Sequence, residues 1–148
     1  MDRNDAVSVL EKLIETCRDG QKGYADSAEH VKRPDLKSYL QQQSAERGRF
    51  VEELERELSS LGKSDKKPSG SVAGALHRTW IDAKANLGGG DKTILESVEQ
   101  GEDTAKEAYE EALRAQLPSN LQTIVQRQAE SVKSAHDKVK SMRDSLAA

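Results

Sequence analysis

Four side chains that could do chemistry lie on the apolar stripes of predicted helices: Cys17, Arg47, Glu102 and His136. A thiol, a carboxylate and an imidazole all bind transition metals, so one interpretation is a metal or redox site. The other is a buried ion pair between Arg47 and Glu102, with His136 as a second donor. A buried carboxylate needs a partner, and the guanidinium fork matches its two oxygens. We expect the ion pair, unless these side chains lie at a helix seam and reach water.

Two features of the first predicted helix have alternative explanations. The thiol of Cys17 is either reactive, because a nearby guanidinium lowers its pKa, or a small core residue, which is the interpretation we adopt. Gly20 and Gly23 lie inside the same helix, where each glycine costs roughly 1 kcal/mol relative to alanine. They permit the helix of Trp80 to approach closely, distort the helix locally, or are simply tolerated on an exposed face.

The rest of the chain predicts the helices that position these groups. Apolar residues recur three or four apart almost everywhere, and no alternating strand pattern competes. We predict long helices at 5–31, 35–61, 93–116 and 120–146, and a shorter helix at 71–87. The midpoints of the long helices place Cys17, Arg47, Glu102 and His136 within about one turn of a common level. The four side chains are therefore expected to form one polar cluster in the middle of a bundle.

The connections between helices predict their arrangement. Pro34 and the Pro118–Asn120 segment make short joints, so the helices on either side of each joint pack antiparallel. The link between helices 2 and 3 is long and includes a helical stretch of roughly 26 Å, which spans most of a bundle. Four helices with one long crossover form the ferritin-like arrangement. We therefore predict a single all-α domain over 1–148, a ferritin-like four-helix bundle in which Trp80 anchors the short crossover helix.

Composition excludes several classes of partner. The 23 basic and 26 acidic residues nearly balance and aromatic residues make up only 3%, so the charge and the stacking surface of a nucleic-acid-binding protein are both missing. No apolar run is long enough for a membrane helix or a signal peptide. A single cysteine cannot form an internal disulfide, which favours a cytoplasmic location. We expect the partner to be another protein or a second copy of the chain.

Three segments resemble a known family, the bacterial ferritin-like four-helix-bundle proteins of unknown function. The similar segments are LIETCRDGQKGY at 13–24, SGSVAGALHRTW at 69–80 and GEDTAKEAYEEAL at 101–113. The resemblance covers nearly the whole chain, and SGSVAGALHRTW is its most specific part. It implies a bacterial protein with this fold more than it implies a task.

The wider ferritin and rubrerythrin group implies a test for a di-iron site. That site takes one glutamate from each of two helices and a Glu-x-x-His pair from each of the other two. By comparison with that group, the corresponding positions are Cys17, Arg47, Phe50, Glu102, Lys133 and His136. Only Glu102 and His136 match. The positively charged guanidinium of Arg47 would occupy the position at which iron carries its charge in that group. The resemblance therefore implies a degenerate site without ferroxidase or peroxidase activity.

These observations lead to three hypotheses for function. The first, which we adopt, is a non-enzymatic protein with no catalytic residue and no cofactor, whose surface or oligomer interface carries a structural, interaction or stress-associated role. The second is a metal-binding or redox protein that holds iron or zinc with Cys17, Glu102 and His136. The third is a working di-iron oxidase, which the missing ligands disfavour. The metal content of protein purified without chelator separates the first hypothesis from the other two.

Overall fold

A computed structural model describes residues 3–62 and 90–146 of the chain. This part contains no strand and consists of four helices: α1 (Arg3–His30), α2 (Pro34–Ser60), α3 (Gly90–Arg114) and α4 (Ser119–Ser145). The observed ends lie within about one turn of the predicted ones, and the all-α class is confirmed. The predicted helix at 71–87 and Trp80 lie outside the described residues. None of the four described helices has both the length and the apolar character that a membrane span requires.

A carboxylate at the start of α3 holds the joint between α1 and α2. Asp91 accepts hydrogen bonds from the backbone N–H groups of Lys32 at 2.8 Å and Arg33 at 3.1 Å. Pro34 is the first residue of α2, where its missing N–H costs no helical hydrogen bond. Arg33 has the extended backbone that a residue before proline prefers. The end of α1 therefore lies next to the start of α3.

The helices are ordered as in a ferritin-like bundle. α1 packs against α2 and α3, and α4 packs against α3 and less extensively against α2. Lys12 near the start of α1 pairs with Glu111 near the end of α3, so these two helices are antiparallel. Because the short joint makes α1 antiparallel to α2 as well, α2 and α3 run parallel on a diagonal of the bundle. The chain thus leaves α2 and enters α3 at opposite ends of the bundle, as the predicted long crossover requires.

A polar layer divides the core into two apolar clusters. The larger cluster contains Leu10, Ile14, Leu54, Leu58 and Val125, and the smaller contains Leu36, Leu40, Ile94, Leu95 and Val139. Along α2 and α3, the buried side chains of Arg47 and Glu102 lie between these clusters. The apolar clusters supply the main driving force for folding, whereas the polar layer determines what chemistry the centre can do.

Candidate functional site

An ion pair between Arg47 and Glu102 occupies the centre of the bundle. Arg47 Nη1 donates to Glu102 Oε1 at 2.7 Å and Nη2 donates to Oε2 at 2.5 Å, so the contact is bidentate. The exposed fractions of the two residues are 1% and 2%. They come from α2 and α3, which lie on the diagonal and make no backbone contact with each other. The predicted pair is therefore present, and the arginine side chain bridges the width of the core.

Tyr24 completes the hydrogen bonding of Glu102. Its hydroxyl donates to Oε2 at 2.8 Å, and its ring lies under the guanidinium, with Arg47 Cζ 5.4 Å from the ring centre. Burial and the neighbouring carboxylate raise the pKa of Tyr24 well above its usual value, so the hydroxyl keeps its proton. Burial alone would lower the pKa of Arg47, but Glu102 outweighs this effect and raises it above its usual value. Both oxygens of the carboxylate thus have charged or protonated donors.

The guanidinium accounts for one of the two glycines inside α1. A Cβ atom on Gly20 would lie 2.9 Å from Arg47 Nη1, a separation that real Cβ contacts essentially never show. Gly20 therefore leaves room for the ion pair. A Cβ atom on Gly23 would meet no atom of the described residues within 4 Å, which agrees with the alternative that this glycine is tolerated.

A second buried network joins Cys17 to the edge of the bundle. Cys17 Sγ lies 3.0 Å from the hydroxyl oxygen of Tyr109, and that hydroxyl donates to Gln128 Oε1 at 2.7 Å. Gln128 Nε2 donates to Glu53 Oε1 at 2.8 Å, and Arg127 binds the other oxygen of Glu53. All four helices contribute to this network, which runs from a core thiol to a partly exposed carboxylate.

Cys17 is buried, and its environment keeps the thiol protonated. Its exposed fraction is 1%. Burial raises the pKa of Cys17 to about 11, although Arg47 acts in the opposite direction. The expected effect of the guanidinium is present, but desolvation outweighs it. This environment favours the interpretation of Cys17 as a core residue.

The predicted position of His136 beside Glu102 is wrong. His136 Nε2 lies 2.7 Å from Asp103 Oδ1, and Nδ1 lies 3.1 Å from Asp137 Oδ1, at the surface seam between α3 and α4. The core stripe of α4 passes through Ala135, and the next residue is turned by about 100° around the helix axis. His136 therefore points along the seam and not to the centre, so the four predicted residues do not form a single cluster.

The site residues predicted from the sequence do not include several members of these networks. Tyr24 occupies an apolar stripe position, although its hydroxyl supplies the second donor to Glu102. Gln128 is a buried polar residue in the stripe of α4, which is the same signal that identifies Arg47, so this signal could have found it. Glu53 carries no such signal, because a partly exposed glutamate is ordinary on a helix surface.

Most of the sequence also matches a known family. Residues 5–115 match the family described as Domain of unknown function (DUF2383). The chain belongs to this family. Among curated proteins, none matches the sequence.

Solved structures similar to this DUF2383 chain share its fold at low sequence identity. A Dps1 mutant of Mycobacterium smegmatis superposes with a TM-score of 0.77 at 16% identity, covering 95% of this chain and 96% of that one. The tetragonal form of Mycobacterium smegmatis Dps gives a TM-score of 0.75 at 16% identity, covering 95% and 86%. At this level of identity the similarity shows the ferritin-like four-helix fold alone.

Glu102, the predicted di-iron ligand at the centre of this DUF2383 chain, is already engaged in hydrogen bonds. Such a site needs carboxylate oxygens that are free to bind metal, whereas both oxygens of Glu102 accept hydrogen bonds from Arg47 and Tyr24. Arg47 cannot lose its proton to become a ligand. Within residues 3–62 and 90–146, no group of three or more His, Cys, Asp or Glu side chains is placed to hold a metal ion. The residues at the centre are instead those of a closed ion pair.

Proposed function

We propose that this chain is a non-enzymatic ferritin-like protein that acts by self-association or by binding another protein. The observation that carries the proposal is the bidentate contact between Arg47 and Glu102 in the middle of the core. Ferritin-like di-iron proteins project their metal ligands into this region of the bundle. Here the guanidinium supplies the positive charge that Glu102 requires, so the two buried charges neutralise each other. The role of the protein therefore falls to its surface.

The alternative hypothesis, a metal or redox site, has less support. Its three candidate ligands lie in different surroundings: Cys17 in the network of Tyr109, Glu102 in the ion pair and His136 at the surface seam. A metal ion requires its ligands at about 2.0–2.3 Å from one point. An iron or zinc centre built from these residues would have to break all of these contacts.

Iron titration tests the proposal against both metal hypotheses. The protein is purified without chelator, and its iron and zinc contents are measured. It is then titrated anaerobically with ferrous iron and exposed to oxygen, with an authentic di-iron protein as the positive control. We expect no stoichiometric metal and no oxo-bridged absorption band. Two irons bound per chain would overturn the proposal, and one firmly bound metal would favour the alternative.

Sedimentation velocity over a range of concentrations tests self-association. We expect a species heavier than the 16.3 kDa chain whose fraction rises with concentration. A monomer at every concentration would remove self-association and leave binding to another protein as the proposed role. A location in the bacterial cytoplasm and an association with stress remain predictions that fractionation and expression profiling of the source cells would check.

A further inference from the structure

The network that starts at Cys17 has a direction that its chemistry dictates. Glu53 is the end group, and the hydrogen bonds from Arg127 and Gln128 hold its pKa below the usual value, against the opposing effect of burial. An ionised carboxylate accepts hydrogen bonds and cannot donate them. The group of Gln128 that faces Glu53, at 2.8 Å, must therefore be the amide NH2. The charge of Glu53 thus orients the Gln128 amide.

The amide orientation then determines the two remaining hydrogen bonds. With its NH2 group on Glu53, Gln128 presents its carbonyl oxygen to Tyr109, so the tyrosine hydroxyl must donate across the 2.7 Å contact. That hydroxyl has one proton, which is then committed. The thiol of Cys17, which burial keeps protonated, must consequently donate its own proton to the tyrosine oxygen at 3.0 Å. Along the network, each side chain donates to the next one, from Cys17 in the core to Glu53 at the edge.

We propose that the charge of Glu53 at the edge of the bundle sets the direction of the hydrogen bond made by the buried thiol of Cys17. Glu53 is a positioning residue that acts through Gln128 and Tyr109. The side chain of Glu53 is 24% exposed, so an event at the surface can neutralise it, whereas Cys17 is out of reach of solvent. The network is therefore a device that transmits the charge state of a surface group to the core.

Neutralising Glu53 permits the opposite direction. With an uncharged amide at position 53, Arg127 donates to the oxygen of that amide. The NH2 group of the same amide then becomes a donor to Gln128. The Gln128 amide can then turn over and donate to the oxygen of Tyr109, whose hydroxyl is released to donate to Cys17 Sγ. The thiol changes from donor to acceptor, and no covalent bond is made or broken.

Infrared spectroscopy of the S–H stretch reads this change directly, because the chain has one cysteine and therefore one S–H band. In the native protein we expect a band displaced to lower frequency, as a donating thiol gives. In Glu53→Gln we expect the band to move, wholly or in part, toward the frequency of a thiol that does not donate. Tyr109→Phe, which removes the acceptor, marks that frequency, and Cys17→Ala identifies the band by its loss.

Glu55→Gln is the matched control. Glu55 lies two residues further along α2, pairs with Arg18 at 3.3 Å and, among the described residues, makes no hydrogen bond or ion pair to the network, so its neutralisation should leave the band in place. An S–H band at the non-donating frequency in the native protein would overturn the proposal. A band that is unchanged in Glu53→Gln, or that moves equally in Glu55→Gln, would overturn it as well. Circular dichroism of each variant verifies that the bundle is folded.

Discussion

Gly20 and Arg47 are in contact across the α1–α2 interface, with room for a hydrogen atom on the glycine Cα but not for a methyl group. Nη1 cannot move aside without breaking its bond to Glu102. We therefore expect Gly20→Ala to lower the free energy of unfolding by about 1–3 kcal/mol, as overpacking of a closed core does. Urea denaturation measures this change.

Gly23→Ala is the matched control for the glycine prediction. It makes the same chemical change in the same helix, where a Cβ atom would meet no described atom within 4 Å. Its free energy of unfolding should rise by up to about 1 kcal/mol, because alanine favours the helix. Equal stabilisation by both substitutions would show that Arg47 does not press on Gly20.

The second prediction concerns the energetic coupling of the central pair. Arg47→Met and Glu102→Gln each leave one buried group without its partner, so each should cost about 3–5 kcal/mol. The double variant should cost much less than the sum of the two. The control is a double-mutant cycle on Lys12 and Glu111, whose side chains are 57% and 65% exposed. It should give a coupling free energy of at most about 1 kcal/mol. Small, additive effects at the centre would contradict the buried-pair interpretation.

The third prediction concerns the hydroxyl of Tyr24. Tyr24→Phe removes one donor from the buried carboxylate of Glu102 and preserves the ring under the guanidinium. We expect a loss of about 1.5–3 kcal/mol in the free energy of unfolding, the usual range for a hydrogen bond to a charged group. Tyr39→Phe is the control, because within the described residues the Tyr39 hydroxyl makes no hydrogen bond to a carboxylate. Equal effects of the two substitutions would argue against a special role for Tyr24.

The fourth prediction is a pH dependence that comes from His136. Partial burial lowers the pKa of His136, but the hydrogen bonds to Asp137 and Asp103 outweigh it and raise the pKa above 6.5. The folded protein therefore holds this proton more tightly than the unfolded chain does. The resulting stabilisation is complete below the unfolded-state pKa of 6.5 and disappears as the pH rises through the folded-state pKa.

Urea denaturation of the native protein and of His136→Gln over about pH 5.5–8.5 checks this sign. The difference in stability should be largest at low pH and shrink as the pH rises, by less than about 1 kcal/mol because the partner carboxylates are exposed. Asp103→Asn should lower the pKa of His136 in an NMR titration. A difference that grows with pH would mean that the sign is wrong.

The fifth prediction concerns the reactivity of Cys17. Because burial raises its pKa to about 11, the native protein should resist alkylation by iodoacetamide at about pH 8 and react in urea. Tyr109→Phe separates the effect of burial from the effect of the hydrogen bond, since it removes the hydrogen bond and preserves the apolar surroundings. Protection should persist in that variant. Rapid alkylation of the folded native protein would show that the thiol is accessible.

The helices and the central ion pair could be predicted from the sequence because both depend on periodicity. A charged residue on an apolar stripe must find a partner at its own level, and this requirement alone brings Arg47 to Glu102. The prediction for Arg47 is confirmed and the prediction for His136 is wrong, although both depend on the same stripe pattern. One residue shifts a side chain by about 100° around the helix, and a stripe with polar interruptions does not distinguish Ala135 from its neighbour.

The hydrogen-bond networks could not be predicted from periodicity. A tyrosine counts as an apolar side chain in the pattern, and the direction of its hydroxyl depends on side-chain rotamers and on the spacing between helices. The pattern therefore predicts Tyr24 and Tyr109 as apolar core residues, although the hydroxyl of each donates a hydrogen bond in the structure. The glycine at position 20 is a similar case, because the atom it accommodates comes from another helix.

The polar layer between the two apolar clusters also determines the register of the helices along the bundle axis. Apolar side chains of similar size recur along each helix, so a helix that slides by one turn, about 5.4 Å, still finds apolar neighbours. The same slide carries Glu102 away from Arg47 and leaves two buried charges unpaired, at a cost of several kcal/mol. In the native position the two parallel helices α2 and α3 are both packed and neutralised, so the ion pair favours this register among those that the repetitive apolar pattern would permit.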